Sequence, residues 1–213
     1  MQTKKYKIMK KISFLISAIL MLTISCKDAN KNTETISADE TLDETIDEQE
    51  GVAEEKLEQT NVEASELKIT LESKSGNTAK GDVIFTENNG TVEMTATLTG
   101  LSEGEHAIHL HEKADCSADD GTSAGGHWNP TFEPHGKWGA EEGYHKGDIG
   151  NFTADAEGNG TVQFSTDEWC IGCDDEKKNI IGKSVVVHEG TDDFTSQPSG
   201  DAGARISCGG VIQ

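Results

Sequence analysis

The histidines of this 213-residue chain are confined to one stretch, and their spacing predicts a metal site. All seven lie between residues 106 and 188: His106, His109, His111, His127, His135, His145 and His188. His109 and His111 are two residues apart, so a β-strand would turn both rings to one face, toward a single ion. Neutral imidazoles suit copper and zinc, and Asp148 adds a carboxylate of the kind that zinc accepts beside histidine. The order of these residues predicts a site for two metal ions.

The elements that must position these histidines are predicted to be β-strands. Apolar alternation or a buried apolar run marks residues 67–71, 83–85, 91–98, 152–155, 160–164, 185–187 and 205–211. Asn88-Asn89-Gly90 and Gly158-Asn159-Gly160 are turn signals between neighbouring strands. Two long glycine-rich stretches, 112–150 and 189–204, lack a helical pattern, and such loops are usually functional. We predict an antiparallel sandwich or flattened barrel over residues 67–213, with two working loops.

The N-terminus has the layout of a secretory signal. Five lysines lie between residues 4 and 11, and an apolar run over residues 12–24 precedes Ser25 and Cys26. That run is too short for a comfortable membrane span. Residues 22–26, Leu-Thr-Ile-Ser-Cys, resemble a bacterial lipobox, which implies removal of residues 1–25 and lipidation of Cys26. The protein would then be an exported, membrane-anchored lipoprotein facing the periplasm or the cell exterior. Ordinary secretion with a free Cys26 is the alternative.

Residues 26–66 are predicted to be an acidic flexible linker that follows the lipidated cysteine. From residue 27 to residue 66 the chain has fourteen Asp or Glu against three lysines. With so few apolar residues to bury, this segment cannot offset the entropy cost of ordering. The alternative is a weak helix through Leu42, Ile46, Leu57 and Val62, which Gly51 would interrupt. A net charge of −21 excludes a nucleic-acid partner.

Nine short segments of the chain follow a known pattern in order and spacing. They are residues 106–112 (His-Ala-Ile-His-Leu-His-Glu), 115–117, 124–130, 135–136, 145–151, 186–189, 192–193, 200–205 and 208–212. Together they resemble the copper/zinc superoxide dismutases over the whole of residues 67–213. The resemblance implies an all-β, antiparallel Greek-key barrel of about eight strands with long metal-binding and channel loops. It also implies dismutation of superoxide to oxygen and hydrogen peroxide by copper redox cycling, with zinc as a structural ion. A homodimer is compatible with it.

The same resemblance implies a role for each histidine. The copper ligands would be His109, His111, His127 and His188, and the zinc ligands would be His127, His135, His145 and Asp148. His127 would bridge both ions as an imidazolate, because two nearby cations depress the proton affinity of a shared ring. Its ring would also take up and return a proton during turnover. His106 would brace the copper loop through hydrogen bonds. Asp192 would link a copper-site histidine to a zinc-site histidine, and Asp193 would replace it only if the loop register slipped.

Arg205 is the only arginine of the chain, and the resemblance makes it a catalytic anion guide beside copper. A plain surface salt bridge is the alternative interpretation. Residues 67–213 have ten basic and twenty-five acidic side chains, and the stretch 189–204 has no lysine. Salt screens distant charges beyond about 8 Å, so the local field of Arg205 and the metals would matter most. We expect slower, less salt-sensitive substrate association than in relatives with lysine there.

The five cysteines fall into three groups. Cys26 belongs to the N-terminal signal, and the resemblance implies a disulfide between Cys116 and Cys208. Cys170 and Cys173 are not part of the usual family pattern. A small local disulfide is one interpretation of this pair, and a redox-active or metal-docking pair is the other. The sequence leaves the pairing of the four cysteines open.

Two functions of different classes remain. The first is a superoxide dismutase, and the second is a non-enzymatic copper and zinc buffer or delivery protein of the same fold. The presence of His127, His188 and Arg205 together favours the enzyme, because a buffer needs no anion guide.

Overall fold

The computed structural model describes residues 65–213, which form eight antiparallel strands in a closed barrel. The strands are β1 (Ser65–Ser73), β2 (Lys80–Asn88), β3 (Thr91–Thr99), β4 (Gly104–His111), β5 (Gly150–Ala154), β6 (Gly160–Thr166), β7 (Ser184–His188) and β8 (Arg205–Gly210). A single 3-10 turn, Thr122–Ala124, lies in the long loop after β4. The predicted signal sequence, Cys26 and nearly all of the acidic linker lie outside the described residues.

The strand order confirms the predicted all-β Greek-key barrel. Around the barrel the order is β1-β2-β3-β6-β5-β4-β7-β8, and β8 returns to pair with β1. The β3–β6 and β4–β7 neighbours are not consecutive in sequence, so the chain crosses the barrel ends as a Greek key requires. Among residues 65–213, no helix is long and apolar enough to span a bilayer.

The strand ends differ from the sequence prediction where backbone pairing continues beyond the apolar residues. Residues 65 and 66 were assigned to the linker, but both belong to β1, where Ser65 pairs with Glu87. Their side chains are exposed, so the apolar pattern did not include them. Asn89 and Gly90 connect β2 to β3 with φ values of 50° and 77°, as the predicted tight turn requires.

Strand β4 is the element that joins the core to the histidines. Ile108 and Leu110 are fully buried in the main apolar cluster, together with residues of β2, β3 and β7. His109 and His111 alternate with them and are equally buried. The loops that follow β4 and β7 contact these two rings, through Gly125 on His111 and through Asp192 on His109. These loops coincide with the predicted working loops.

The described residues contain two disulfides, one between a loop and the barrel and one within a loop. Cys116 in the first long loop is bonded to Cys208 of β8, as the resemblance implied. Cys170 is bonded to Cys173 in the connection between β6 and β7, which corresponds to the local alternative.

Candidate metal centre

The described residues contain two groups of side chains that could each hold a metal ion. In each group the ligand atoms lie within 4.8 Å of one another, and every member is buried. The first group is His109, His111, His127 and His188, and the second is His127, His135, His145 and Asp148. His127 belongs to both. These are the two sets that the sequence analysis assigned to copper and to zinc.

The barrel brings the first group together through strand pairing. His109 and His111 project from β4, and His188 ends β7, which pairs with β4 at Val186 and His109. His127 comes from the loop after β4, where an isolated antiparallel bridge joins it to His111. Two strands and one loop bridge therefore fix the four rings.

The ring nitrogens of the first group are divided between hydrogen bonds and the interior of the cluster. His111 Nδ1 donates to the Gly125 carbonyl at 2.9 Å, and His188 Nδ1 contacts the Gly203 carbonyl at 3.4 Å. The Nε2 atoms of these rings, 3.4 Å apart, are left to face the cluster. His109 Nδ1 and His127 Nε2 are buried and have no hydrogen-bond partner among residues 65–213. Buried unpaired nitrogens are costly, so this group fits a bound cation.

The second group converges on Asp148. His127 Nδ1 lies 2.8 Å from Asp148 Oδ1, and His135 Nδ1 lies 3.0 Å from Oδ2. His145 Nδ1 is 3.3 Å from Oδ1. The nitrogens of His135 and His145 are close to the carboxylate but do not have hydrogen-bond geometry toward it. Three imidazoles and one carboxylate form a donor set that zinc accepts.

Burial and charge prepare the rings for ligation. Burial lowers the pKa of His127 to about 4 and that of His188 to about 3, so both rings are neutral near pH 7. Burial also favours a low pKa for His135, but the carboxylates of Asp148 and Asp192 outweigh it and raise that pKa to about 9. A metal ion would therefore displace a proton from His135.

Asp192 joins the two groups, as the resemblance implied. Its carboxylate accepts from His109 Nε2 and from His135 Nε2, both at 2.9 Å. Asn151 holds the backbone of Asp192 through two hydrogen bonds of 2.8 Å, one in each direction. The neighbouring Asp193 is exposed and caps a turn at Ser196, so the alternative register does not occur in the structure.

His106 lies outside both groups. Its two ring nitrogens are each 2.9 Å from a backbone carbonyl oxygen, one of Ser102 and one of His188. Neither nitrogen is left for a metal, and the contact with His188 fixes the end of β7. This is the bracing position that the sequence analysis gave to His106.

Arg205 lies on a cavity beside the first group. The cavity has a volume of about 490 Å³, and the residues that line it include His111, His127, Asn129, His188, Asp201 and Arg205. The guanidinium donates from Nη1 to the Gly121 carbonyl at 2.7 Å, which fixes its direction. The described residues give Arg205 no ion pair, so the salt-bridge alternative is not what the structure contains.

Three further side chains support the ligands through contacts that the sequence did not indicate, although the size of Trp169 predicts that it packs in a loop. The Gln197 side chain accepts from the His135 N–H and donates to its carbonyl, both at 2.8 Å. Glu168 and Trp169 contact the segment that carries His145 and Asp148. No sequence pattern marked these residues, because their contacts depend on how distant loops fold onto each other.

Comparison with known proteins identifies the family. Residues 79–212 match the family model described as "Copper/zinc superoxide dismutase (SODC)". An extracellular copper/zinc superoxide dismutase of Caenorhabditis elegans is 34% identical over 137 residues, which cover 62% of this chain and 60% of the nematode protein. The corresponding extracellular protein of Drosophila melanogaster is 39% identical over 139 residues, which cover 61% of this chain and 74% of the fly protein. The match therefore spans less than two thirds of the nematode relative.

A solved structure gives the same result for the fold. A double mutant of a SOD-like protein from Bacillus subtilis superposes with a TM-score of 0.62 at 30% identity, covering 68% of this chain and 97% of that one. The family model covers more than half of the chain, including every residue of both histidine groups. The chain belongs to the copper/zinc superoxide dismutase family, whose cofactors are copper and zinc.

Proposed function

We propose that this protein is a superoxide dismutase that converts superoxide to oxygen and hydrogen peroxide. The observation that carries the proposal is the shared ring of His127, which belongs to both ligand groups beside a cavity lined by Arg205. In this proposal copper is held by His109, His111, His127 and His188. Zinc is held by His127, His135, His145 and Asp148.

The residues around the copper site have separate tasks in this reaction. A copper ion held by the first group would supply the redox chemistry, since cycling between Cu(II) and Cu(I) would allow oxidation of one superoxide and reduction of another. The protein must also manage the protons that the peroxide product takes up. His127 Nε2, which is buried and faces the first group, is the atom that would hold one of them between the two half-reactions. The other ring nitrogen, Nδ1, lies 2.8 Å from Asp148 Oδ1, so ligation of one zinc ion by both residues would keep the ring in place meanwhile.

Arg205 would bind and orient the anionic substrate. Its guanidinium lines the cavity and is held by the Gly121 carbonyl, so its charge is fixed before superoxide arrives. Asp201 lines the same cavity with the opposite charge. Because Asp201 opposes it, the positive field that attracts an anion into the cavity must come from Arg205 and the metals.

A non-enzymatic copper and zinc buffer or delivery protein is the second candidate. The two ligand groups would serve it equally well. The fixed Arg205 beside the first group favours the enzyme, because metal storage has no use for an anion-binding side chain.

We also propose an export route for the domain. The lysine-rich start, the apolar run and Cys26 support a lipoprotein signal over residues 1–25, and the acidic residues 26–66 support a tether for the domain that follows. The word "extracellular" in the names of the nematode and fly relatives is consistent with export. Palmitate labelling of the wild type and of Cys26→Ser tests the anchor, and label retained by the variant would refute it.

The test of the activity is superoxide consumption by protein loaded with both metals. We expect activity in the wild type, and loss of copper and activity in His188→Ala. Arg205→Ala should keep both metals and lose about tenfold or more in rate, because steering by a local charge has at least this effect. Lys113→Ala is the matched control, since it removes the same charge from an exposed site. An inactive wild type with both metals bound would favour the buffer.

A further inference from the structure

The connection between β6 and β7 packs against the segment that carries two of the proposed zinc ligands. This connection, residues 167–183, contains the disulfide Cys170–Cys173. The ligand segment, residues 144–148, carries His145 and Asp148. The contacts between the two are made by consecutive residues, Glu168 and Trp169, directly before the disulfide.

Trp169 provides the buried contact. Its indole is 1% exposed and packs within an aromatic group that includes Phe85, Trp138 and Phe164. Its Nε1–H donates to the carbonyl of Lys146 at 2.8 Å. Lys146 follows His145 directly and precedes Asp148 by two residues, so this bond fixes the backbone between two ligands.

The carboxylate of Glu168 contacts two side chains of the same ligand segment. Glu168 Oε1 accepts from the Tyr144 hydroxyl at 2.6 Å, and Oε2 pairs with the Lys146 ammonium. On the opposite side, the Gly147 carbonyl accepts from Leu110 N at 2.9 Å, and Gly147 N donates to Trp128 O at 3.0 Å. The ligand segment is therefore hydrogen-bonded on one side to β4 and the loop after it, and on the other side to the β6–β7 connection.

The disulfide closes the turn that immediately follows Trp169. Cys170 N donates to the Lys178 carbonyl at 2.8 Å, and the Cys170 carbonyl accepts from Ile180 N at 3.0 Å. The Asn179 side chain also bonds this turn, accepting from Gly172 N and donating to Cys173 O. The disulfide and these hydrogen bonds fix the backbone of the turn that directly follows Trp169, and so restrict the position of its indole.

We propose that Glu168 and Trp169, fixed by the Cys170–Cys173 disulfide, are positioning residues that hold His145 and Asp148 in place and slow the loss of zinc. The proposal rests on the proposed zinc site but does not depend on dismutation. Residues that orient ligands from outside the site typically change metal affinity by about 10–100-fold when they are replaced. The disulfide, which the family pattern lacks, would thus serve zinc retention.

The experiment measures the rate of zinc transfer from the fully loaded protein to an excess of a chromogenic chelator. Trp169→Phe keeps most of the aromatic volume and removes the N–H donor, and we expect about tenfold faster release. Tyr144→Phe removes only the hydroxyl that Glu168 accepts, and it should act in the same direction. The double variant Cys170→Ser with Cys173→Ser should show a smaller acceleration, because the hydrogen bonds of Asn179 remain.

Matched controls separate positioning from packing. Trp138→Phe makes the same change within the same aromatic group, and Glu176→Gln changes an exposed side chain of the disulfide turn; both should release zinc at the wild-type rate. Wild-type release from both Trp169→Phe and Tyr144→Phe would overturn the proposal, and so would equal acceleration in Trp138→Phe. Full zinc retention in His145→Ala would instead refute the zinc site itself. Superoxide consumption, measured in parallel, decides the proposed activity separately.

Discussion

Replacing Asp192 by asparagine tests the link between the two metal groups with the smallest possible change in shape. The aspartate accepts from two ring N–H groups, one on His109 and one on His135, with one carboxylate oxygen for each. Asparagine offers one acceptor oxygen, and its amide N–H atoms would face the second ring N–H. One histidine must therefore lose its partner or turn its ring, and its metal-facing nitrogen moves with it.

The expected size of this effect follows from the bond that is lost. A buried hydrogen bond to a charged acceptor contributes roughly 2 kcal/mol, which corresponds to about a thirtyfold change in an equilibrium constant. Each ligand group has one histidine bonded to Asp192, His109 in the copper group and His135 in the zinc group. We therefore expect Asp192→Asn to weaken the binding of at least one metal by about this factor: zinc if His135 loses its acceptor, and copper if His109 does.

Competition with a chelator of known affinity measures both constants. Asp193→Asn is the matched control, because it makes the same change at an exposed neighbour that bonds only within its own turn. Unchanged affinity for both metals in Asp192→Asn would refute the reasoning. An equal loss in Asp193→Asn would show that loop charge matters and not the bridge between the rings.

Three other predictions follow from features of the loops. The rate of superoxide consumption should change little with added salt, because the stretch 189–204 has no lysine and Asp201 lines the cavity; a steep fall would contradict this. Replacing Cys116 and Cys208 by serine should lower the free energy of unfolding of the metal-free protein in urea by about 4 kcal/mol, since the bond spans 92 residues; a loss below about 1 kcal/mol would refute the estimate. Gly200→Ala should weaken zinc binding about tenfold in a chelator titration, because its Cβ would overlap Asp192 Oδ1. Gly139→Ala, at a similar positive φ in open space, is its control, and equal losses would contradict the overlap.

The sequence predicted the parts of this protein whose signals are local. Alternation in residues 91–98 and the Asn89-Gly90 turn are properties of a few neighbouring residues, and both correspond to what the structure contains. The ligand types were visible because a metal requires particular side chains, whatever the surrounding loop does. The choice between Asp192 and Asp193 needed the fold, since it depends on the loop register.

The supporting contacts could not be predicted, because they join residues far apart through loops without a repeating pattern. Gln197 reaches His135 across 62 positions, and Trp169 reaches Lys146 across 23. Glutamine and tryptophan occur in many environments, so neither residue type indicates such a role. The ends of β1 were missed for a different reason, since backbone pairing places no demand on exposed side chains.

Closure of the barrel has a consequence for biosynthesis. The ring is sealed by β8 against β1, through the pairs Glu72 with Cys208 and Ser73 with Ser207. A ribosome must complete almost the whole domain before this seam can form, and until then two strand borders stay open to other chains. Cys116 meanwhile emerges long before its partner, whereas Cys170 and Cys173 appear almost together. A newly made chain therefore depends on β8 for two things: to pair with the open edge of β1, and to supply Cys208 as the disulfide partner of Cys116.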